Sequence, residues 1–220
     1  MKEELDQFLK IVNIDEEEEI KGIKFYKGKY KNNLFTLIES GIGKVNSARA
    51  TQLLIDKENV DYIFNVGVAG GISNNLKIGD IVIGKKLYQY DFDISAFGHK
   101  KCYIPKVGEY TTCDEGLINK ALELDKEIDN NILLGNIASA DKFMTDKEEG
   151  MKLNKELDAL CVEMEGASIA QVAFLNNIPF LVIRSISDVP NGNNNIDFDE
   201  FLKEASNTIA EFMLKIIEKI

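Results

Sequence analysis

Short apolar runs alternate with helical repeats along most of this chain, and that alternation leaves few folds open to it. Residues 62–66, 81–83, 132–140, 160–164 and 180–186 are apolar stretches of strand length. Between them, Val45, Ala48, Leu53 and Leu54, then Leu117, Ile118, Ala121 and Leu122, recur at helical spacing. Residues 146–153 and 167–174 predict two more helices, and the small residues of the second permit close packing on a sheet. Phe198, Phe201, Leu202, Ala205, Ile209, Phe212, Met213 and Ile216 trace one face of a long terminal helix, with Asp197 and Glu200 spaced as a capping pair at its start. Strand–helix alternation from residue 34 onward predicts a three-layer α/β fold. Ahead of it, Leu5, Phe8, Leu9 and Val12 predict an amphipathic helix, and segments 23–30 and 34–39 flank Lys31-Asn32-Asn33 as a hairpin. The acidic run Asp15 to Glu19 reads as a solvated turn. No repeat or linker divides residues 1–220, so one domain is expected.

In such folds ligands bind where strands end, because side chains there face an open crevice. Three carboxylates fall at such ends. Glu163 and Glu165 close one strand in Val162-Glu163-Met164-Glu165-Gly166, and Asp188 closes the next in Arg184-Ser185-Ile186-Ser187-Asp188. Packing alone does not account for them, since a buried carboxylate is costly unless paired. Arg184 lies inside an apolar strand and calls for a glutamate partner. Gly67-Val68-Ala69-Gly70-Gly71 follows a strand directly and would let backbone amides approach a ligand, although it is neither G-x-G-x-x-G nor a P-loop. Ser40-Gly41-Ile42-Gly43-Lys44 is a second glycine turn at a helix start.

Composition removes several function classes. The net charge of −11 argues against a nucleic-acid partner. No apolar run is long enough to span a membrane, and the opening Met1-Lys2-Glu3-Glu4 is not a signal peptide, so a cytoplasmic protein is expected. Cys102, Cys113 and Cys161 suggest neither a disulfide framework nor a zinc site. With His99 as the one histidine, Ser-His-Asp and Cys-His catalysis have little to draw on.

In their order, these motifs resemble the nucleoside phosphorylase/hydrolase superfamily, and within it the 5′-methylthioadenosine/S-adenosylhomocysteine nucleosidases. The matching blocks are Ser40 to Val45, Asn65 to Gly71, Ser95-Ala96-Phe97-Gly98, Ser139-Ala140-Asp141-Lys142-Phe143, Val162 to Glu165, Arg184 to Asp188 and Phe198 to Leu202. The resemblance implies a three-layer α/β/α fold with a central mixed sheet. It also implies hydrolysis of the N-glycosidic bond, releasing adenine and a 5-thio-substituted ribose in methionine salvage. Asp188 is then the general acid at purine N7, with Ser187 positioning it. Phe143, Met144 and Phe198 would hold the base. Glu165 would take the ribose hydroxyls, with Met164 under the sugar, Ala69 and Gly70 beside it, Ile42 also at the substrate, and Glu163 in support. Glu4 matches the base that activates water, and Arg184 would orient that glutamate and the water. The family's pattern places an apolar strand and Gly-Ala ahead of the motif that here begins at Met1; without them, one strand is lost and Glu4 sits on a fraying end. The resemblance further implies a homodimer, with the segment around Phe97 reaching the neighbour's 5′ side, and no metal or organic cofactor. Two rivals are a purine nucleoside phosphorylase, disfavoured because Asn65 stands where such enzymes often carry arginine, and a nucleoside-binding protein that has lost catalysis with its first strand.

Overall fold

A computed structural model describes residues 1–128, 130–189 and 194–220, with the backbone alone at 125–126, 194–197 and 199–200. Nine strands and six helices are described. Strands β1 (Ile14–Ile20), β2 (Ile23–Tyr30) and β3 (Asn33–Ile38) form an antiparallel sheet of their own. The remaining six are β4 (Ile63–Gly71), β5 (Ile81–Gln89), β6 (Thr111–Thr112), β7 (Ile132–Ser139), β8 (Ala159–Glu163) and β9 (Phe180–Asp188). They make a mixed sheet in the order β6-β5-β7-β8-β4-β9. β9 also pairs antiparallel with β5 through Ile81↔Ser185, Val82↔Arg184 and Ile83↔Ile183, which closes the sheet on itself. This is the expected α/β architecture with a central mixed sheet.

Helices α1 (Lys2–Ile11), α2 (Lys44–Lys57), α3 (Glu115–Leu122), α4 (Lys147–Leu157), α5 (Gly166–Leu175) and α6 (Asn194–Lys219) surround the strands. Local chemistry sets several boundaries. The Asp114 carboxylate accepts from Leu117 N at the start of α3, and that of Asp146 from Glu148 N and Glu149 N at the start of α4. Ile81, Val82, Ile83, Leu181, Val182 and Ile183 are fully buried, as expected for strands covered on both faces. Helix α6 begins at Asn194, ahead of the expected cap; the side chains of Asp197 and Glu200, like residues 190–193, lie outside the described residues. Among the described residues no helix is long and apolar enough to cross a membrane.

The acidic run is a strand rather than a turn. β1 pairs with β2 in the register Glu16↔Lys27, Glu17↔Tyr26, Glu18↔Phe25 and Glu19↔Lys24. Lys27 reaches Glu18 at 2.7 Å and Glu58 at 3.0 Å, and Lys24 reaches Glu17 at 2.7 Å. An edge strand with charge on both faces lacks the alternation by which strands are recognised, and its cross-strand lysines hold it.

β4 is the strand on which the site is built. One of its edges pairs parallel with β9 along Ile63–Gly70, while the other meets β8 at Gly70 and Gly71. Val66, Asn65 and Phe64 on β4, with Thr36, Leu37 and Ile38 on β3, are among the residues that line a cavity.

Candidate active site

A cavity of about 390 Å³ opens where β4, β8 and β9 end, and all thirteen residues named from the sequence as catalytic or substrate-binding line it. Two glycines of β4 mark where acidic side chains come closest to its floor. A Cβ on Gly67 would lie 2.7 Å from Glu4 Oε1, and one on Gly70 would lie 3.2 Å from Asp188 Oδ2. At both strand positions the lack of a side chain lets a carboxylate lie close against the backbone.

Glu4 is not left on a fraying end. It sits in the first turn of α1, which packs on α6. Glu4 Oε1 accepts a hydrogen bond from Val68 N at 3.0 Å, and Oε2 pairs with the Met1 α-amino group. Asp188, 2% exposed, reaches the cavity through an irregularity in β9. Ala69 pairs with Ile186 but Gly70 pairs with Asp188, so Ser187 is an extra residue that turns Asp188 toward Gly70. Ser187 Oγ donates to Asp188 Oδ1 at 2.9 Å.

The two glutamates of the strand-end motif differ in their contacts. Glu163, the last residue of β8, accepts from Ser139 Oγ, from Arg184 Nη2 at 2.6 Å, and from Glu165 N and Gly166 N at 3.0 and 2.6 Å. Burial pushes its pKa up, but the Arg184 charge and these donors outweigh burial and hold it below the ordinary carboxylate range. Glu165 stands at the start of α5, where Oε1 accepts from Gly43 N at 2.8 Å. Its pKa is raised, first by burial and then by the neighbouring Glu163 charge.

Arg184 finds the glutamate partner its burial demands in Glu163. Glu4, expected to be oriented by Arg184, takes its hydrogen bonds from Val68 N and the Met1 amine, but it stands near the guanidinium: a Cβ on Gly67 would lie 2.7 Å from Glu4 Oε1 and 3.6 Å from Arg184 Nη1. Arg184 Nη2 also donates to Asn65 Oδ1, and Nη1 to Asn65 O and Ile183 O, so the terminal nitrogens are committed to acceptors on β4, β8 and β9. At the opposite wall Phe143 and Phe198 meet edge to face, with centroids 5.7 Å apart at 79°. Met144 is buried beside Ile72 and Val162, and Ile42 is 55% exposed at the rim. Phe97 projects from the 3-10 turn Ser95–Phe97, 82% exposed, and does not line this chain's own cavity.

Three contributors are not among those named from the sequence as catalytic or substrate-binding, although Asn65 weighs there against a phosphorylase. Ser139 Oγ donates to Glu163 and accepts from Ala167 N at 2.8 Å. Gly43 donates to Glu165, and Asn65 clasps Arg184. For Asn65 a signal was present: it is the one polar side chain in β4. For Ser139 and Gly43 the partner lies on a distant segment, and spacing along the chain does not reveal it.

The geometry has matches among known proteins. The chain is 34% identical over 221 residues to a 5′-methylthioadenosine/S-adenosylhomocysteine nucleosidase of Staphylococcus epidermidis, covering 100% of this chain and 97% of that protein. It is 38% identical over 196 residues to an aminodeoxyfutalosine nucleosidase of Campylobacter jejuni, covering 89% of this chain and 86% of the relative. A crystal structure of a mutant of the Helicobacter pylori enzyme MTAN, with 5′-methylthioadenosine in its active site, superposes with a TM-score of 0.96 at 35% identity, covering 100% of this chain and 96% of that one. A model of the phosphorylase superfamily matches residues 1–218. The chain belongs to the phosphorylase superfamily, among relatives that are 5′-methylthioadenosine/S-adenosylhomocysteine nucleosidases.

Proposed function

We propose that this protein hydrolyses the N-glycosidic bond of 5′-methylthioadenosine and S-adenosylhomocysteine, releasing adenine and a 5-thio-substituted ribose. The observation that carries the reading is the placement of Glu4 and Asp188 against Gly67 and Gly70, three residues apart on one strand that floors one cavity. A leaving purine needs a proton and an attacking water must lose one, so two acidic side chains at the two ends of one site match that demand.

In this reading adenine stacks at Phe143 and Phe198, with Asp188 facing N7. As C1′–N9 breaks, its electron pair passes to adenine and the Asp188 proton to N7, while Ser187 holds the carboxyl in place. The ribose becomes an oxocarbenium ion, with its hydroxyls on the free oxygen of Glu165 and Met164 beneath it. Ala69 and Gly70 line the sugar side, and Ile42 the 5′ side. Water adds to C1′ and gives its proton to Glu4. Glu163 and Arg184 act through others, by fixing the strand ends from which these groups project. The chemistry is acid–base throughout and needs no metal or organic cofactor.

The methionine-salvage role, a cytoplasmic location and a homodimer belong to the same proposal. Val45 on α2, 79% exposed, and Phe174 and Leu175 on α5 leave apolar surface on two helices that pack together. That supports a second copy there, bringing its Phe97 turn to the 5′ end. The exposed rim at Ile42 also favours bulky 5′ groups, so an aminodeoxyfutalosine substrate is the second reading. Adenine release from each nucleoside, with and without phosphate, tests this. Release independent of phosphate supports the hydrolase; release only with phosphate replaces it with a phosphorylase; saturable binding without release replaces it with a binding protein.

A further inference from the structure

The chain has two arginines, and Arg49 donates to Lys21 O at an exposed position, so Arg184 is the cavity's one guanidinium. Its four terminal N–H groups all have protein acceptors. Asn65 takes one from each terminal nitrogen, through its carbonyl O from Nη1 at 3.2 Å and through Oδ1 from Nη2. Ile183 O takes the other from Nη1 at 3.0 Å, and Glu163 Oε2 the other from Nη2 at 2.6 Å. Nε alone is without a partner among the described residues, and it carries a single hydrogen.

An arginine holds phosphate through two parallel N–H groups, one per anionic oxygen. Here no such pair is left. We infer that Asn65 is a specificity-determining residue for the nucleophile: by closing the guanidinium's end-on edge, it denies phosphate a dock beside C1′ and leaves the position to water. The inference rests on the hydrolytic reading above and deepens it. With water, the new bond is C1′–O and the proton goes to Glu4. With phosphate, an anionic oxygen would bond to C1′ as C1′–N9 breaks, giving a pentose 1-phosphate with no proton for Glu4 to accept. The carboxylates of Glu4, Glu163 and Glu165 set against one guanidinium act in the same direction, since the field they leave repels a dianion.

The test compares the unmodified chain with Asn65→Ala and Asn65→Asp. Adenine release from 5′-methylthioadenosine is followed with increasing inorganic phosphate, and the sugar product is identified by mass. The unmodified chain is expected to ignore phosphate and yield only the free pentose. Asn65→Ala frees one Nη2 hydrogen while the carbonyl of residue 65 still holds Nη1, so phosphate regains a single contact rather than the fork, and inhibition should tighten roughly tenfold to a hundredfold, the scale of one charge-assisted hydrogen bond, or pentose 1-phosphate should appear among the products. Asn65→Asp keeps an acceptor on Nη2 and should stay insensitive. A folded Asn65→Ala as indifferent to phosphate as the parent overturns the inference, as does an Asn65→Asp as sensitive as Asn65→Ala. If Asn65→Ala fails to fold, phosphate is titrated against the thermal midpoint of the unmodified chain, where a rise specific to phosphate over chloride overturns the inference and no rise supports it. Absence of any cleavage by the unmodified chain defeats the hydrolytic reading, while the thermal titration still decides whether Arg184 is closed to phosphate.

Discussion

Glu163 and Glu165 stand two residues apart, yet one belongs to the frame of the site and the other to its working surface. Glu163 faces four donors and is 8% exposed, and its negative charge is matched by Arg184. Among the described residues Glu165 accepts from one donor, Gly43 N, and it lies in a place that disfavours its charge. Saturation makes a carboxylate a fastener. Incomplete pairing makes it available to a ligand, at some cost to the fold.

The contrast is calibrated by Asp188, whose proton the proposed reaction consumes. Asp188→Asn should lower kcat/KM by roughly 10²- to 10⁴-fold, the usual worth of a positioned general acid. A folded mutant with near-normal turnover would remove Asp188 from that role. Glu163→Gln should fail in a different way, by destabilising the protein by about 3–5 kcal/mol, because it leaves the Arg184 charge buried without its counter-ion. Denaturant unfolding reads this directly, and an unchanged midpoint with lost activity would put Glu163 on the working surface instead. In the parent, the lowered Glu163 pKa contributes stability that is present above its unfolded value near 4.5 and is lost as pH falls through the folded value.

Glu165→Gln is the mirror image. Removing the ribose contact should cost roughly tenfold to a hundredfold in kcat/KM, yet the variant should melt at a higher temperature near neutral pH. The sign follows from the raised pKa. The folded protein binds this proton more tightly than the unfolded chain, so stability falls as pH rises from about 4.5 through the folded value, and glutamine removes that loss. The gain should vanish below about pH 4.5, where the parent's carboxyl is protonated in both states. A melting temperature lowered at neutral pH would erase the distinction between the two glutamates. Least affected should be Phe198→Ala, which removes one edge-to-face partner worth about 0.5–1.5 kcal/mol. Its KM for the nucleoside should rise by a few-fold to about tenfold, with a smaller change in kcat, and an unchanged KM would place Phe198 away from the base.

Much of this was legible in the chain before the structure. The strands at 62–66, 132–140, 160–164 and 180–186 were fixed by short apolar runs, and the cavity gathers every residue named from the motifs. The separation of Glu163 from Glu165 was not legible. Strand parity would put residues two apart on one face, but β8 ends at Glu163, and Glu165 already belongs to the turn into α5. Likewise β1 was hidden because Glu16 to Glu19 show no period, and the lysines that hold them are on another strand. The Asn65 clasp on Arg184 joins residues 119 positions apart, and it exists only once β4 and β9 lie in register.

That register carries a consequence of its own at Ser187. Strand residues alternate between two faces, so the direction of the proton donor is decided by a count, odd or even, along β9. The surplus residue opposite Ala69 and Gly70 sets that count. Loss of one residue there would leave the same strands and nearly the same inventory of side chains, but would swing the carboxyl of Asp188 away from the cavity. For this enzyme, a change of length at one step of one strand is therefore as damaging as erasing the acid itself.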